Sequence, residues 1–262
     1  MTLLTHARRT TTWVLLTSIL MPLMFATVAQ AQSADSAILA QVRTTHVKPG
    51  MNATFEAFLK RLNALNKKHG TGMPTLVTRT RTGHNGYISI TMMDAFADLK
   101  PGANWVDTFG AKESAELSRM IAESVAGGQV QTFNVRRDLG RQPSLTPRGA
   151  DAFMTILITV KQNSGPAYEE ALAKLVEASA KVAPNVRWVA YSPGMSSSNL
   201  YRVVVPIDWE DESVAMPIPE RYTKAFGEKE GSKWAQQLSG ATEKIETMMT
   251  INRPDLSSIP EE

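Results

Sequence analysis

The chain has 262 residues, of which 43% are apolar and 20% are charged, a composition typical of a globular protein and not of a disordered one. It contains no cysteine, which excludes thiol catalysis, iron–sulfur clusters and cysteine zinc sites. The net charge of +3 comes without a basic stripe interleaved with aromatic residues, so we expect no nucleic-acid partner.

The first 31 residues have the features of a cleaved export signal. Arg8 and Arg9 precede an uncharged apolar stretch at residues 13–28, and residues 29–31 (AQA) have the small-x-small pattern of a signal peptidase site. An uncleaved anchor is the alternative, but the stretch is short for a bilayer span and Pro22 interrupts it. We therefore expect cleavage after Ala31, a periplasmic or secreted protein, and no membrane attachment once the signal is removed.

The sequence repeats itself after about 115 residues, which is a sign of internal duplication. The pentapeptide FGAKE at residues 109–113 returns as FGEKE at residues 226–230. The other matched pairs include Glu56/Glu169, Arg136/Arg253, Asp138/Asp255 and Leu139/Leu256. We interpret each pentapeptide as a structural turn at the start of a helix, because an acid in the first helical turn suits the helix dipole. We expect both phenylalanines to be buried there.

Each copy has the element order βαββαβ, judged from alternating or helical spacing of apolar residues and from turn residues between them. In copy one the predicted elements are a strand at 41–47, a helix at 51–69 closed by Gly70, strands at 75–82 and 87–93, a helix at 113–126 ended by Gly127 and Gly128, and a strand at 130–136. In copy two they are a strand at 153–160, a helix at 166–182, strands at 186–191 and 200–207, a glycine-interrupted helical region at 219–244, and a strand at 246–252.

These elements predict two repeats of similar size after the leader. Repeat 1 covers residues 38–139 and repeat 2 covers residues 152–256. Between them, residues 140–151 contain two prolines and two glycines, which is typical of a linker. Residues 257–262 form a short tail.

The βαββαβ order is that of the ferredoxin-like split unit. Two such units in tandem resemble the dimeric α/β-barrel superfamily over residues 38–256. The resemblance implies an α+β fold in which two tandem ferredoxin-like units place their antiparallel sheets face to face as a pseudo-dimeric α/β barrel. That superfamily includes antibiotic-biosynthesis-monooxygenase-like, NIPSNAP-like and haem-binding chlorite dismutase-like proteins. The resemblance rests on element order and duplication. The sequence has no catalytic signature of a particular family, so no functional residue is carried over.

The third strand alternates between an apolar face, with Ile88 and Ile90, and a more polar face, with Tyr87 and Thr91. Helices should cover the apolar face, which leaves the polar face toward either an enclosed barrel lumen or water. The two alternatives stay open. If the lumen is polar, a small molecule could bind between the two sheets. The ligand-binding candidates there are Arg79, Tyr87, Thr91, Tyr191 and Tyr201.

Two aspartates end equivalent strands. Asp94 precedes a connection that contains Trp105, and Asp208 is followed at once by Trp209. Long connections often carry function, so these four residues are further candidates for shaping pocket mouths. The alternative is that each aspartate caps a turn.

Histidine offers one weak candidate for chemistry. His46, His69 and His84 have no metal-binding spacing, so we expect no metal site. His46, in the first strand, is the candidate general base or haem ligand. The alternative is a hydrogen-bonded strand residue, since copy two has Thr159 at that place.

Three functions remain open. The first is an exported protein that binds a small molecule without a cofactor. The second is an enzyme, either a cofactor-free oxygenase or a haem protein. The third is an interaction module whose sheet edges mediate assembly. A homo-oligomer is compatible with each, because a barrel closed within one chain can still pair with a second chain.

Overall fold

The computed structural model describes residues 38–82, 85–93, 104–141, 150–194, 199–207 and 216–259. The strands are β1 (Leu39–Val47), β2 (Thr75–Thr80), β3 (Gly86–Met93), β4 (Val125–Arg136), β5 (Ala152–Val160), β6 (Val189–Pro193), β7 (Leu200–Ile207) and β8 (Thr242–Asn252). The helices are α1 (Asn52–His69), α2 (Trp105–Phe109), α3 (Ala111–Ser124), α4 (Gly165–Val182), α5 (Ile218–Phe226) and α6 (Glu228–Ala241). Single 3-10 turns follow β4 (Arg137–Leu139) and β8 (Pro254–Leu256).

The strands form one closed barrel in the order β1-β3-β2-β8-β5-β7-β6-β4. Repeat 1 supplies β4-β1-β3-β2 and repeat 2 supplies β8-β5-β7-β6, which is the same ferredoxin-like order in each half. Residues 78–80 of β2 pair with residues 250–252 of β8, and residues 133–136 of β4 pair with residues 190–193 of β6. All pairings are antiparallel, so the predicted fold class is confirmed.

The end of the second helix differs from the prediction. We predicted a helix to residue 126 stopped by Gly127 and Gly128, but α3 ends at Ser124 and both glycines lie inside β4. Gly128 is needed there for close strand approach, since a Cβ atom would lie 2.3 Å from the carbonyl oxygen of Thr44. The glycine pair therefore permits strand pairing.

The core has three parts. One fills the barrel lumen and contains only strand residues, from both repeats: Ala40, Val42, Leu76, Ile88, Ile90, Phe133, Phe153, Val189, Tyr191 and Val204. The other two lie outside the barrel, one between the repeat 1 sheet and α1 to α3, the other between the repeat 2 sheet and α4 to α6. Each half-sheet therefore has core residues on both faces, although the first halves of β4 and β8 are exposed.

The expectation that helices cover the apolar face of β3 is wrong, and the alternative of a lumen lined by its polar face does not hold. Ile88 and Ile90 point into the lumen, whereas Tyr87 faces outward and packs on Phe55 of α1, with ring centroids 4.9 Å apart. The physical reason is that a closed barrel excludes water from its inside, so aliphatic side chains fill it, while the outer face can offer hydrogen-bond partners on the helices.

Each repeat ends in a turn that packs on the other repeat. Leu139 belongs to the core under the repeat 2 helices and Leu256 to the core under the repeat 1 helices. Trp188 donates its indole N–H to the Leu139 carbonyl at 2.8 Å, and Asn63 donates its amide to the Leu256 carbonyl at 2.8 Å. Residues 142–149, most of the predicted linker, lie outside the described residues, so the division into repeats and linker stays a prediction.

The two pentapeptides join helices in the same way. Gly110 follows Phe109 at φ +87°, and Gly227 follows Phe226 at φ +84°, a region that favours glycine. Phe109 is buried against the His69 ring, and Phe226 is half-buried beneath the Lys181 ammonium. The prediction of burial is confirmed for Phe109 and is only partly met for Phe226.

In the described part of the chain, no helix has the length and apolar character needed to cross a bilayer. The predicted leader lies outside the described residues, so its cleavage stays a prediction.

Candidate functional site

Two pockets occupy equivalent places outside the barrel, each between a half-sheet and the helices that cover it. The repeat 2 pocket has a volume of about 760 Å³ and the repeat 1 pocket about 500 Å³. Leu238 of α6 lines the first and Ile121 of α3 lines the second, and these two residues match in the duplication. The duplication has therefore produced two cavities of different size.

The repeat 2 pocket has apolar walls. Its floor is the outward face of β5 and β7, with Met154, Ile156, Ile158, Val203 and Val205. The sides come from α4 and α6 and from two aromatic residues: Leu172, Leu175, Ala235, Leu238, Tyr168 and Trp188. Cavities of roughly 300–1,000 Å³ with such linings are typical of sites for small organic ligands.

The charged side chains in the described lining of this pocket are Arg221, which is buried, and Glu243 and Lys244. Arg221 of α5 donates from Nε to the Met216 carbonyl at 3.0 Å. Glu243 and Lys244 of β8 are exposed there, and Lys244 also forms an ion pair with Glu246 at 3.0 Å. A ligand in this pocket would meet apolar walls, the buried Arg221, and the exposed charges of Glu243 and Lys244.

The tyrosine in the wall is a neutral group. Burial raises the pKa of the Tyr168 hydroxyl above its ordinary value, so it stays protonated at neutral pH. Its ring packs on Tyr201 with centroids 4.6 Å apart. Tyr168 therefore offers an aromatic surface and an uncharged hydroxyl.

The repeat 1 pocket is more polar. Trp105 of α2 and Phe58 of α1 form an aromatic wall, with ring centroids 6.1 Å apart. Opposite them, Thr75 and Thr91 share a hydrogen bond between their hydroxyls at 2.9 Å. The remaining polar lining consists of Gln41, Arg43, Thr44, Thr45, Asn63, Asn66, Ser89, Gln129 and Ser258.

Two of the predicted ligand residues are held in hydrogen-bonded clusters. Tyr87 donates to Glu56 at 2.6 Å, and Tyr201 donates to Glu169 at 2.8 Å. Burial and the hydrogen bond to Glu56 raise the pKa of Tyr87, while the positive charge of Arg79 acts in the opposite direction. Neither tyrosine belongs to the described lining of these two pockets.

The other candidates are dispersed. Thr91 and Trp105 line the repeat 1 pocket, and Tyr191 lies in the lumen. His46 follows Val42 and Thr44 on the lumen side of β1, away from the lining of both pockets. Asp94, Asp208 and Trp209 lie outside the described residues. Ligand binding by these candidates stays a prediction.

The residues that line the repeat 2 pocket were missed by the sequence analysis. Leu175, Trp188 and Leu238 occur in the pattern of ordinary core residues. No local signal separates an apolar side chain that fills the core from one that borders a cavity, because the difference depends on how far apart two packed layers lie.

A histidine-ligated haem does not fit this arrangement. Haem iron needs an axial ligand, and the described residues that line either pocket include no histidine. His46 lies on the lumen side and His69 packs against Phe109. Among the described residues there is also no group of three histidine or acidic side chains that could hold a metal ion.

Solved structures share this fold at very low sequence identity. A proposed monooxygenase from Lactobacillus acidophilus NCFM has a TM-score of 0.51 and 8% identity, over 85% of this chain and 96% of its own. An anthrone oxidase-like protein has a TM-score of 0.51 and 11% identity, over 84% and 92%. Chlorite dismutase from Candidatus Nitrospira defluvii, in complex with imidazole, has a TM-score of 0.51 and 9% identity, over 84% and 93%.

At these identities the likeness shows the fold alone. This chain shares their fold, and in it two ferredoxin-like halves close one α/β barrel within a single polypeptide. No family model matches the sequence, and no curated protein matches it either.

Proposed function

We propose that this protein is an exported binding protein for an apolar small molecule, and that the repeat 2 pocket is its ligand site. The observation that carries the proposal is the cavity of about 760 Å³ lined by aliphatic side chains, Tyr168 and Trp188. Apolar walls supply affinity through burial, and a few polar groups fix the orientation of the ligand. A molecule with an apolar or aromatic body and a polar end toward Arg221 and Lys244 suits this lining.

Binding fits the lining better than catalysis does. Proton abstraction requires a base within hydrogen-bond reach of the reacting atom. The described interior of the repeat 2 pocket offers aliphatic groups and the neutral Tyr168, while Glu243 is exposed. The oxygenase alternative therefore has no described base inside this pocket.

Export rests on the leader. Its two arginines, apolar stretch and AQA site are the features that signal peptidase recognises. Amino-terminal sequencing of the protein recovered from the periplasm of a bacterial host should begin at Gln32. Recovery of the intact leader in the membrane fraction would replace this proposal with an anchored protein.

Two matched substitutions test the pocket. Leu238→Trp adds bulk inside the repeat 2 pocket, and Ile121→Trp adds bulk at the equivalent place in the repeat 1 pocket. The probe is 1-anilinonaphthalene-8-sulfonate, an aromatic body with one anionic group, whose fluorescence rises in apolar sites. We expect saturable binding to the natural protein and to the Ile121→Trp variant, and binding at least about tenfold weaker to Leu238→Trp, because the added ring takes the space of the ligand.

Both variants must first show a native circular dichroism spectrum and a cooperative thermal transition. Equal binding by a folded Leu238→Trp variant would contradict the assignment of the site. Loss of binding only in Ile121→Trp would move the site to repeat 1.

A further inference from the structure

Among the described residues, one arginine lies in the barrel lumen, surrounded largely by aliphatic and aromatic side chains. Arg202 of β7 is 1% exposed, and its guanidinium lies over the Phe133 ring, 5.7 Å from the centroid. Its neighbour across the β6–β7 pairing is Tyr191, which is also in the lumen core. The nitrogen atoms Nε and Nη1 of Arg202 and the hydroxyl oxygen of Tyr191 are buried without hydrogen-bond partners. Three donors are therefore unsatisfied in one place.

The fold itself does not require this arginine. Tyr87 and Tyr201 are equivalent, because each donates to the matched glutamate of its own repeat. The next residues, Ile88 and Arg202, therefore occupy the same position in the two halves of the barrel. Their partners across the hairpin are Thr78 in repeat 1 and Tyr191 in repeat 2. An isoleucine fills this place in repeat 1, so the charge in repeat 2 needs another reason.

The charge of Arg202 is not neutralised by the described residues. Burial lowers its pKa to about 10, so the guanidinium is still cationic at neutral pH. Within the described ranges no acidic side chain perturbs it, and Tyr191 is the group whose charge bears on it. A buried cation is tolerated when an anion or hydrogen-bond acceptors accompany it.

We propose that Arg202 and Tyr191 bind a small monovalent anion, of the size of chloride, inside the barrel lumen. Arg202 supplies the charge and the N–H groups of Nε and Nη1, and Tyr191 supplies an O–H donor. The Phe133 ring and the aliphatic side chains of the lumen keep bulk water away, which strengthens the attraction. Arg202 and Tyr191 lie inside the barrel, so this site is separate from the pocket between sheet and helices.

Thermal unfolding in mixtures of sodium chloride and sodium gluconate at constant ionic strength tests this site. Gluconate is a much larger anion than chloride, so the exchange varies the concentration of the small anion while the ionic strength stays constant. A ligand that binds the folded state stabilises it in proportion to the logarithm of its concentration. Above the Kd, a tenfold rise in chloride should raise the Tm of the natural protein by about 3–5 °C.

The informative variant is Arg202→Ile, which gives repeat 2 the residue that repeat 1 has at this place and should therefore fold. We expect its Tm not to respond to chloride, and Tyr191→Phe to respond at higher chloride concentration only. Arg187→Ile, at an exposed position, removes the same charge and should respond like the natural protein. Bromide-soaked crystals of the natural protein should show an anomalous peak next to the Arg202 guanidinium.

No chloride response in the natural protein, or the same response in Arg202→Ile, would refute the anion site. Bromide found only at the surface would do so as well. A water molecule alone beside Arg202 at saturating bromide would show that solvent, and not an anion, satisfies these donors.

Discussion

Arg253, which follows the last strand of repeat 2, binds the carboxylate of Glu56 in the first helix of repeat 1. Its guanidinium donates to both oxygens of Glu56, with Nη2 2.9 Å from Oε2, and also to Asp255. Arg136 forms the matching contact with Glu169 in repeat 2, at 2.7 Å. These two contacts between repeats, called crossings below, connect the end of each repeat to the first helix of the other repeat.

Removing the charge of Glu56 should destabilise the protein markedly. Glu56→Gln weakens the contact with Arg253 and the bond from the buried Tyr87, and hydrogen bonds to charged groups contribute about 1.5–3 kcal/mol each. We expect the free energy of unfolding in urea to fall by about 1–3 kcal/mol. Glu123→Gln, which affects an exposed pair on α3, should cost less than about 0.5 kcal/mol. Equal effects of the two substitutions would show that the crossing is only a surface contact.

The same cluster should make stability depend on acid pH. The hydrogen bonds from Arg253 lower the pKa of Glu56 below 4.5 and that of Asp255 from 3.8 to about 2. A lowered pKa in the folded state stabilises the protein above the ordinary pKa, and this contribution is lost as pH falls through the folded value. The Tm should therefore decline as pH falls from about 4.5 to about 2.

The double variant Glu56→Gln, Asp255→Asn provides the control for this pH dependence. Its Tm should be lower than that of the natural protein at pH 6, and the difference should shrink toward pH 2, where the natural carboxylates are protonated too. A difference that stays constant over this range would assign the loss to packing instead of ionisation.

A glycine sets the distance between two helices of repeat 2. A Cβ atom on Gly231 of α6 would lie 2.6 Å from backbone atoms of Thr223 in α5. We expect Gly231→Ala to lower the free energy of unfolding by about 1–3 kcal/mol, because the helices would have to separate. On the same helix, a Cβ on Gly240 meets no atom within 4 Å, so Gly240→Ala should be neutral or stabilise by up to about 1 kcal/mol. Denaturant titration gives the free energy of unfolding of both variants and so separates the steric cost from the effect of helix propensity. An increase in that free energy for both Gly231→Ala and Gly240→Ala would contradict the close packing.

His46 should not contribute to ligand binding and should not ligate haem. Its strand face points to the lumen, and neither pocket includes it in the described lining. His46→Ala should leave the affinity for the fluorescent probe within about twofold, since a residue outside the pocket contributes no direct contact. Titration of the natural protein with haemin should give no spectrum of a histidine-ligated haem. Such a spectrum, abolished by His46→Ala, would restore the haem alternative.

The matches between the two repeats predicted an internal duplication because they recur in the same order, and the barrel was expected from the resemblance that this duplication and the element order carry. Glu56/Glu169 and Arg136/Arg253 are matched pairs in the sequence. The structure shows that each arginine contacts the glutamate of the opposite repeat. That crossing could not be predicted, because a repeat in sequence does not say whether an element packs on its own copy or on the other.

The candidate site was predicted less well for a related reason. Alternation in β3 correctly separated Ile88 and Ile90 from Tyr87 and Thr91, but the faces were assigned the wrong way round. A strand with two buried faces gives no local sign of which one meets helices. The choice depends on barrel closure, which involves the partner sheet.

The sequence by itself determined the duplication and the element order, because strand and helix periodicity are local properties and a repeated block repeats its structure. The barrel was expected from the resemblance to the dimeric α/β-barrel superfamily. Only the tertiary structure decided that the lumen is packed, that the cavities lie beneath the helices and that Arg202 is buried without an acidic partner among the described residues. These features depend on distances between layers that are far apart in sequence, and such distances are set when the two half-sheets close on each other.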